Sequence, residues 1–246
     1  MPNKAYYDLH IHSCLSPCGD NEMTPGNVLG MAMLKGLNIV ALTDHNTLSN
    51  CPAFFDMATD LGIIPIAGTE ITTAEDIHVL TLFDTLEGAM DFNSALDKKR
   101  MKIKNNPDIF GKQLLVDSND NVVGEEEYLL INSVELSIDD ICDEVKKYSG
   151  VGIPAHIDKN SNSVVAVLGT VPNGDFTAYE LFNRDNREEY SERFPHITNS
   201  CLISNSDAHY LWDINEKINY FEIFSDVSDV NGVTQELFSY LRGEKT

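Results

Sequence analysis

Six of the seven histidines in this chain fall in five short clusters. These are Asp8-Leu9-His10-Ile11-His12, Thr43-Asp44-His45, Glu70 with His78, His156, and Asp207-Ala208-His209. His196 alone stands outside, in Phe194-Pro195-His196, and reads as a structural or surface residue. Neutral imidazoles and carboxylates gathered at one point are what a metal ion needs. A fold built from this chain must therefore bring segments from position 8 to position 209 to one place.

The local pattern says how. An apolar run precedes most of the clusters: Ala5 to Tyr7, Leu37 to Leu42, Gly62 to Ala67, Val151 to Ala155, and Cys201 to Ile203. Runs of this length read as buried strands, and Tyr179 to Phe182 adds another. Helical stretches alternate with them. Thr24-Pro25 opens one that Gly36 closes, and Asn50-Cys51-Pro52 opens one ending near Gly62. Ser137 opens one ending at Gly150, and the last runs from about Thr234 to Arg242. Alternating strands and helices predict an α/β fold with a parallel sheet. In an α/β barrel the catalytic groups sit at the C-terminal ends of the strands, so the clusters are expected on one face. The chain's 246 residues suit one barrel-sized domain.

The stretch from Asp84 to Val134 departs from this rhythm. A helix is expected from Leu86 to about Lys104, carrying the basic run Lys98-Lys99-Arg100-Met101-Lys102-Ile103-Lys104. Asp117 to Asn121 reads as a turn between two short strands. The segment is expected to be an insertion beside the site. Its basic run either contacts a phosphorylated substrate or is a solvated face balanced by neighbouring acids.

The charge balance narrows the partners. With 39 acidic against 17 basic residues, a net charge of -22, the chain repels polyanions unless a local basic patch reverses the field. No apolar run approaches the roughly 20 residues of a membrane span, and MPNKAYYDLH lacks the core of a signal peptide. Five cysteines without a C-x-x-C pair fit reduced thiols and a cytoplasmic location. Cys14, Cys51, Cys142 and Cys201 read as small buried residues.

DLHIHS, TDH, GTE followed by IHVL, PAHID and SDAH, in this order over most of the chain, resemble the PHP family, the polymerase and histidinol phosphatase domain. The resemblance implies a distorted, TIM-like (β/α)7 barrel forming a single domain over 1–246, with the 84–134 insertion after the fourth strand. It also implies two or three divalent metal ions (Zn, Mn or Fe) at the C-terminal face. Most activities in the family are phosphoester hydrolysis, although some members are polymerase domains that edit or only stabilise. His10 and His12 alternate on one strand and so face the same side. By the resemblance they would bind one metal with Glu70 and Asp207. Glu70 would bridge to a second, completed by His78 and His156, while His45 and His209 hold the remaining one. Asp44 would orient a neighbouring histidine. Many members carry Asp or His near the position of Cys18; here the Cys18 thiolate or Asp20 would take that role. Arg184, Arg187 and Lys159 are candidates for holding substrate phosphate, with surface salt bridges as the competing reading.

The expected reaction is in-line hydrolysis of a small phosphomonoester or nucleotide by a metal-bridging hydroxide, with His209 or Asp44 as a rim acid for the leaving group. The expected partner is a small phosphorylated substrate, with no membrane and no nucleic acid. Two alternatives stand beside this reading. A nuclease acting on nucleic-acid ends would need a basic channel, and a non-catalytic metal-binding regulatory domain would be expected to have lost ligands. Substrate, metal and oligomeric state are not legible in the sequence.

Overall fold

The computed structural model describes residues 2–59, 61–172 and 174–244. The elements, in chain order, are β1 (Asn3–Asp8), α1 (Pro25–Leu34), β2 (Ile39–Leu42), α2 (Cys51–Ala58), β3 (Ile64–Thr72) and β4 (His78–Phe83). Next come α3 (Leu86–Leu96), α4 (Pro107–Phe110), β5 (Leu114–Val116), β6 (Val122–Glu125), α5 (Ile138–Lys146) and β7 (Gly150–Pro154). The chain ends with α6 (Val164–Leu168), β8 (Ala178–Glu180), α7 (Arg187–Arg193), β9 (Cys201–Ile203), β10 (Tyr220–Ile223) and α8 (Val230–Leu241).

Local chemistry sets the helix ends. The Thr24 hydroxyl accepts the Asn27 amide with Pro25 in the first turn, and Gly36 leaves α1 at φ +72°. Ser137 caps α5 by accepting from the Asp140 amide. The last helix begins at Val230, earlier than Thr234, because the Asp229 carboxylate accepts from the Gly232 amide. The helix expected to reach Lys104 stops at Leu96. Beyond it the chain extends, and Arg100 bridges to Val134 and Lys104 to Tyr128. This conformation buries the Arg100 guanidinium between Asp97 and Glu126 at 3.1 Å each, and it is the long-range pair with Glu126 that favours leaving the helix.

The main sheet runs β10-β1-β2-β3-β4-β7, and β8-β9 form a separate parallel pair. β1, β2 and β3 are mutually parallel, but β4 is antiparallel to both β3 and β7. The expected all-parallel sheet is therefore mixed. Only the turn from Thr73 to Ile77 links β3 to β4, and a parallel pair needs a crossover of roughly a dozen residues. The β8-β9 pair is joined to the rest through Ile157 N–H to the Glu180 carbonyl and His12 N–H to the Ala208 carbonyl, both 2.9 Å. The sheet thus curls into a half-barrel.

Strand alternation splits the core into two layers. Ala5, Tyr7, Ile39, Ala41, Ile64, Ile66, Leu80 and Leu82 form the inner layer, which Leu237, Phe238 and Leu241 of α8 complete. Outside, Val40, Leu42, Val79 and Phe83 pack under Phe54, Phe92 and Ile141 of the flanking helices. Gly68 marks a close approach between strands: a Cβ there would lie 2.7 Å from the Thr81 carbonyl oxygen.

The β5-β6 hairpin forms where Asp117 accepts the amides of Asn119 and Asn121. Its Asp120 carboxylate accepts from Thr24 Oγ1 at 2.7 Å and from the Gly26 amide at 3.1 Å. Leu114 N–H donates to the Cys14 carbonyl. The hairpin is thereby fastened to the loop that follows His12.

Candidate metal centre

Glu70 continues the inner row Ile64, Ile66, Gly68 of β3 and is 1% exposed. Across the ladder Thr72 pairs with His78, so the imidazole of His78 enters at the same end of the sheet. Because β4 runs antiparallel, His78 opens its strand, whereas the other motifs lie at or beyond the C-terminal ends of theirs. His10 and His12 follow β1, His45 follows β2, His156 follows β7, and Asp207 and His209 follow β9. Two of these residues hold a left-handed backbone, His156 at φ +31° and Asp207 at φ +52°. For a histidine this is strained, and such strain concentrates at functional positions.

The side chains converge. His10 Nε2 lies 3.4 Å from Glu70 Oε1 and 3.4 Å from Asp207 Oδ1. His12 Nε2 lies 3.4 Å from Glu70 Oε2 and 3.2 Å from Asp207 Oδ1. His45 Nδ1 is 3.2 Å from Glu70 Oε2, and His78 Nδ1 and His156 Nε2 are 2.8 and 2.9 Å from Glu70 Oε1. Three groups bring their donor atoms mutually close enough for an ion: His10, His12, Glu70 and Asp207; His45, Glu70 and His78; and His12, His45 and His209. His10 Nε2, His12 Nε2, His45 Nδ1, His156 Nδ1 and Asp207 Oδ1 are buried without a hydrogen-bond partner. Buried polar atoms are rarely left so. Two donors on one tetrahedral ion at about 2.1 Å stand roughly 3.4 Å apart, which is the spacing seen here. The residues fit a multinuclear metal site.

Electrostatics follow from burial and crowding. Burial disfavours charge on His10, but Glu180, Asp207 and Glu70 outweigh it and hold its pKa well above the usual value. His12 is raised to about 9 against burial by Asp207 and Glu70. Burial and the charge of His12 push His45 well below its ordinary value and His209 down to about 4. Glu70 is held low, against burial, by His78 and His10, and Asp207, also against burial, by His10 and His12.

Buried partners lock the imidazole rings of the cluster. His10 Nδ1–H donates to the Glu180 carboxylate at 3.0 Å, and Glu180 also accepts from His156 N–H at 2.8 Å and Asn205 Nδ2 at 2.7 Å. Glu180 is absent from the sequence reading. Its signal was there: an acid ending an apolar strand, as Glu70 does. His12 Nδ1–H donates to Ser16 Oγ at 3.0 Å, and Ser16 donates to Asp44 Oδ1 at 2.7 Å. Asp44 is thus not at the rim. It is 2% exposed, binds Ser13 and Ser16, and reaches His12 only through Ser16. Asp8, in the first cluster, turns away from the site and accepts from the Ser206 and Asn215 amides.

Other expected residues divide. Lys159 pairs with Asp207 Oδ2 and lies 4.4 Å over the Phe182 ring, at the mouth of the site. Cys18 is exposed, and neither it nor Asp20 joins the three donor groups among the described residues; Asp20 Oδ1 accepts the Glu22 amide instead. Arg184 and Arg187 do not face the metal cavity. Arg187 donates to the Leu202 carbonyl, and both line a separate cleft, because the chain turns outward after β8. His196 is exposed. The site opens into a cavity of about 550 Å3 lined by Lys159, Phe182, Asn205, Asp207, His209 and Asn215.

This curled α/β sheet gathers a buried cluster of His, Glu and Asp donors suited to holding metal ions. Residues 8–207 match the PHP domain, and the chain belongs to the PHP family. A 5'-3' exoribonuclease of Haemophilus influenzae is 33% identical over 102 residues, 38% of this chain and 36% of that protein. The chain spans less than half the length of the first curated relatives it matches, 48% and 36%. Among solved structures, it resembles the lesion-specific endonuclease PfuEndoQ from Pyrococcus furiosus, with TM-score 0.65 and 20% identity over 99% of this chain and 57% of that one. Endonuclease Q in complex with a 27-mer duplex containing an abasic lesion also matches, at TM-score 0.56 and 20% identity over 85% and 50%. A third match is a two-domain protein from Bacteroides vulgatus containing a predicted PHP-like metal-dependent phosphoesterase, at TM-score 0.57 and 15% identity over 99% and 64%. At these identities the structural likeness speaks for the fold alone.

Proposed function

We propose that this chain hydrolyses small phosphate monoesters, nucleotides included, at a centre of two or three divalent metals held by His10, His12, His45, Glu70, His78, His156, Asp207 and His209. The observation that carries the reading is the set of buried imidazole nitrogens without hydrogen-bond partners that converge on Glu70 and Asp207. Imidazole and carboxylate donors suit Zn, Mn or Fe. Such ions supply a water that ionises near neutral pH and neutralise the phosphoryl oxygens.

The chain's own residues do the rest. Glu180 fixes His10, and Asp44 fixes His12 through Ser16. With its pKa near 4, His209 carries no proton at neutral pH, so it serves as a ligand rather than the rim acid expected from the sequence. Lys159, at the cavity mouth, is placed to exchange Asp207 for an incoming phosphate oxygen. The half-exposed Phe182 ring lines the same cavity, and Asn215 there keeps a buried amide nitrogen without a partner. A flat ring such as a nucleobase suits those two groups. The hairpin of segment 84–134 braces the loop that follows His12 and lines none of this cavity.

The names of the relatives favour a nuclease as the second reading. Charge works against it: Lys102 pairs with Asp97, Lys104 with Glu127, and Arg100 with Asp97 and Glu126, so the basic run is largely neutralised. No described helix is long and apolar enough to cross a membrane. Free thiols at all five cysteines go with a cytoplasmic setting. The test compares a nucleoside monophosphate with a long duplex, using the same metal-loaded protein at physiological salt. Faster turnover of the nucleotide is expected, and faster cleavage of the duplex would reverse the assignment.

A further inference from the structure

The two arginines diverted from the metal cavity meet a second feature. β9 pairs only with β8, and β1 pairs with β2 and β10, so a seam runs between β9 and β1. Asn219 spans it: its carbonyl accepts the Tyr7 amide at 3.0 Å and its side-chain amide donates to the Ser204 carbonyl at 2.7 Å. Over the seam lies a cleft of about 330 Å3 lined by Arg184, Arg187, Ser204, Asn219 and Tyr220, with Asp185 as its one carboxylate. It shares no lining residue with the metal cavity.

Three observations point to an anion. Ser204 is 6% exposed, lines the cleft, and its hydroxyl has no hydrogen-bond partner. Arg184 and Arg187 form no ion pair with any carboxylate among the described residues, in a chain where acids outnumber bases 39 to 17. Arg187 is also braced: one N–H donates to the Leu202 carbonyl, which holds the guanidinium against β9 and leaves its other donors. Preorganised guanidinium with a buried hydroxyl is the donor set that phosphate oxygens take.

We propose that this seam cleft is an oxyanion site, separate from the metal centre, that takes a phosphate group carried by a small molecule or by an oligonucleotide. It backs on to Asn205, whose side chain also holds Glu180, so an occupant sits one residue from the network that orients His10. Calorimetric titration of chelator-treated protein tests it, with inorganic phosphate in one arm and a short single-stranded oligonucleotide lacking terminal phosphates in the other. Metal-free protein removes the competing centre, and binding needs no turnover, so the result is independent of the proposed hydrolysis. The expected result is binding weakened at least tenfold in Arg184→Gln/Arg187→Gln and also weakened in Ser204→Ala, with unchanged thermal unfolding. An arginine-dependent signal with phosphate alone names a small-molecule anion as the source, and one with the oligonucleotide names a backbone phosphate. No binding in the wild type, or equal binding in the double variant, overturns the proposal.

Discussion

Glu180→Gln is the sharpest probe of the centre, because the substitution preserves shape while removing the carboxylate charge and reversing hydrogen-bond polarity at one atom. One Glu180 oxygen accepts from His10 Nδ1 and Asn205 Nδ2, the other from His10 Nδ1 and the His156 amide. Whichever way a glutamine amide is turned, its NH2 faces donors only. Asn205 cannot rotate to compensate, since its Oδ1 already accepts the Leu9 amide at 2.8 Å. Hydrogen bonds to charged groups contribute about 1.5–3 kcal/mol each. Losing one or two of them in a buried network sets the cost at about 3 kcal/mol. In a chain of this size that lowers Tm by roughly 6–12 °C. Loss of the carboxylate behind a ligating histidine weakens metal binding by about 10–100-fold. Thermal unfolding of the metal-free variant and competition titration with a metal-binding dye read the two effects separately. Metal affinity within threefold of wild type, with Tm unchanged, would refute the argument that Glu180 positions His10.

Three further outcomes are expected. Glu70→Gln should cut turnover by at least about 100-fold and lower metal content measured by elemental analysis; near-normal turnover would end the shared-ligand role of Glu70. Metal binding should expel protons from His10 and His12, so affinity should climb by about tenfold per pH unit for each proton expelled. The window lies between the ordinary 6.5 and the raised value of about 9 for His12. A raised folded-state pKa stabilises the metal-free fold below 6.5, and that contribution is lost as pH rises through 9; a flat affinity profile over this window would contradict both. Gly68→Ala should lower stability by about 3 kcal/mol, at the upper end for overpacking, because the new methyl meets a backbone oxygen; an unchanged denaturant midpoint would show that β3 and β4 can separate freely.

Much of this was legible in the chain itself. Ligand types, their place beside apolar runs, the Thr24 and Ser137 caps, and the turn at Asp117 are short-range features. Each needs only neighbours a few residues away, and the structure brings His10, His12, His45, Glu70, His78, His156, Asp207 and His209 together. The antiparallel direction of β4 was legible in principle, since the turn from Thr73 to Ile77 is too short for a crossover, and the general expectation of a parallel sheet passes over it.

Tertiary structure decided which groups act on which. Glu180 reaches His10 across 170 positions, and Asp44 reaches His12 through Ser16. Arg100 leaves the helical pattern to be buried between Asp97 and Glu126, and Arg184 and Arg187 turn away from the cavity to the seam. Residue type and spacing along the chain announce that a metal can be held, because coordination depends on donor chemistry. The pairing of each buried donor with its acceptor depends on distance and desolvation in the folded state, and those exist only once the half-barrel has closed around the site.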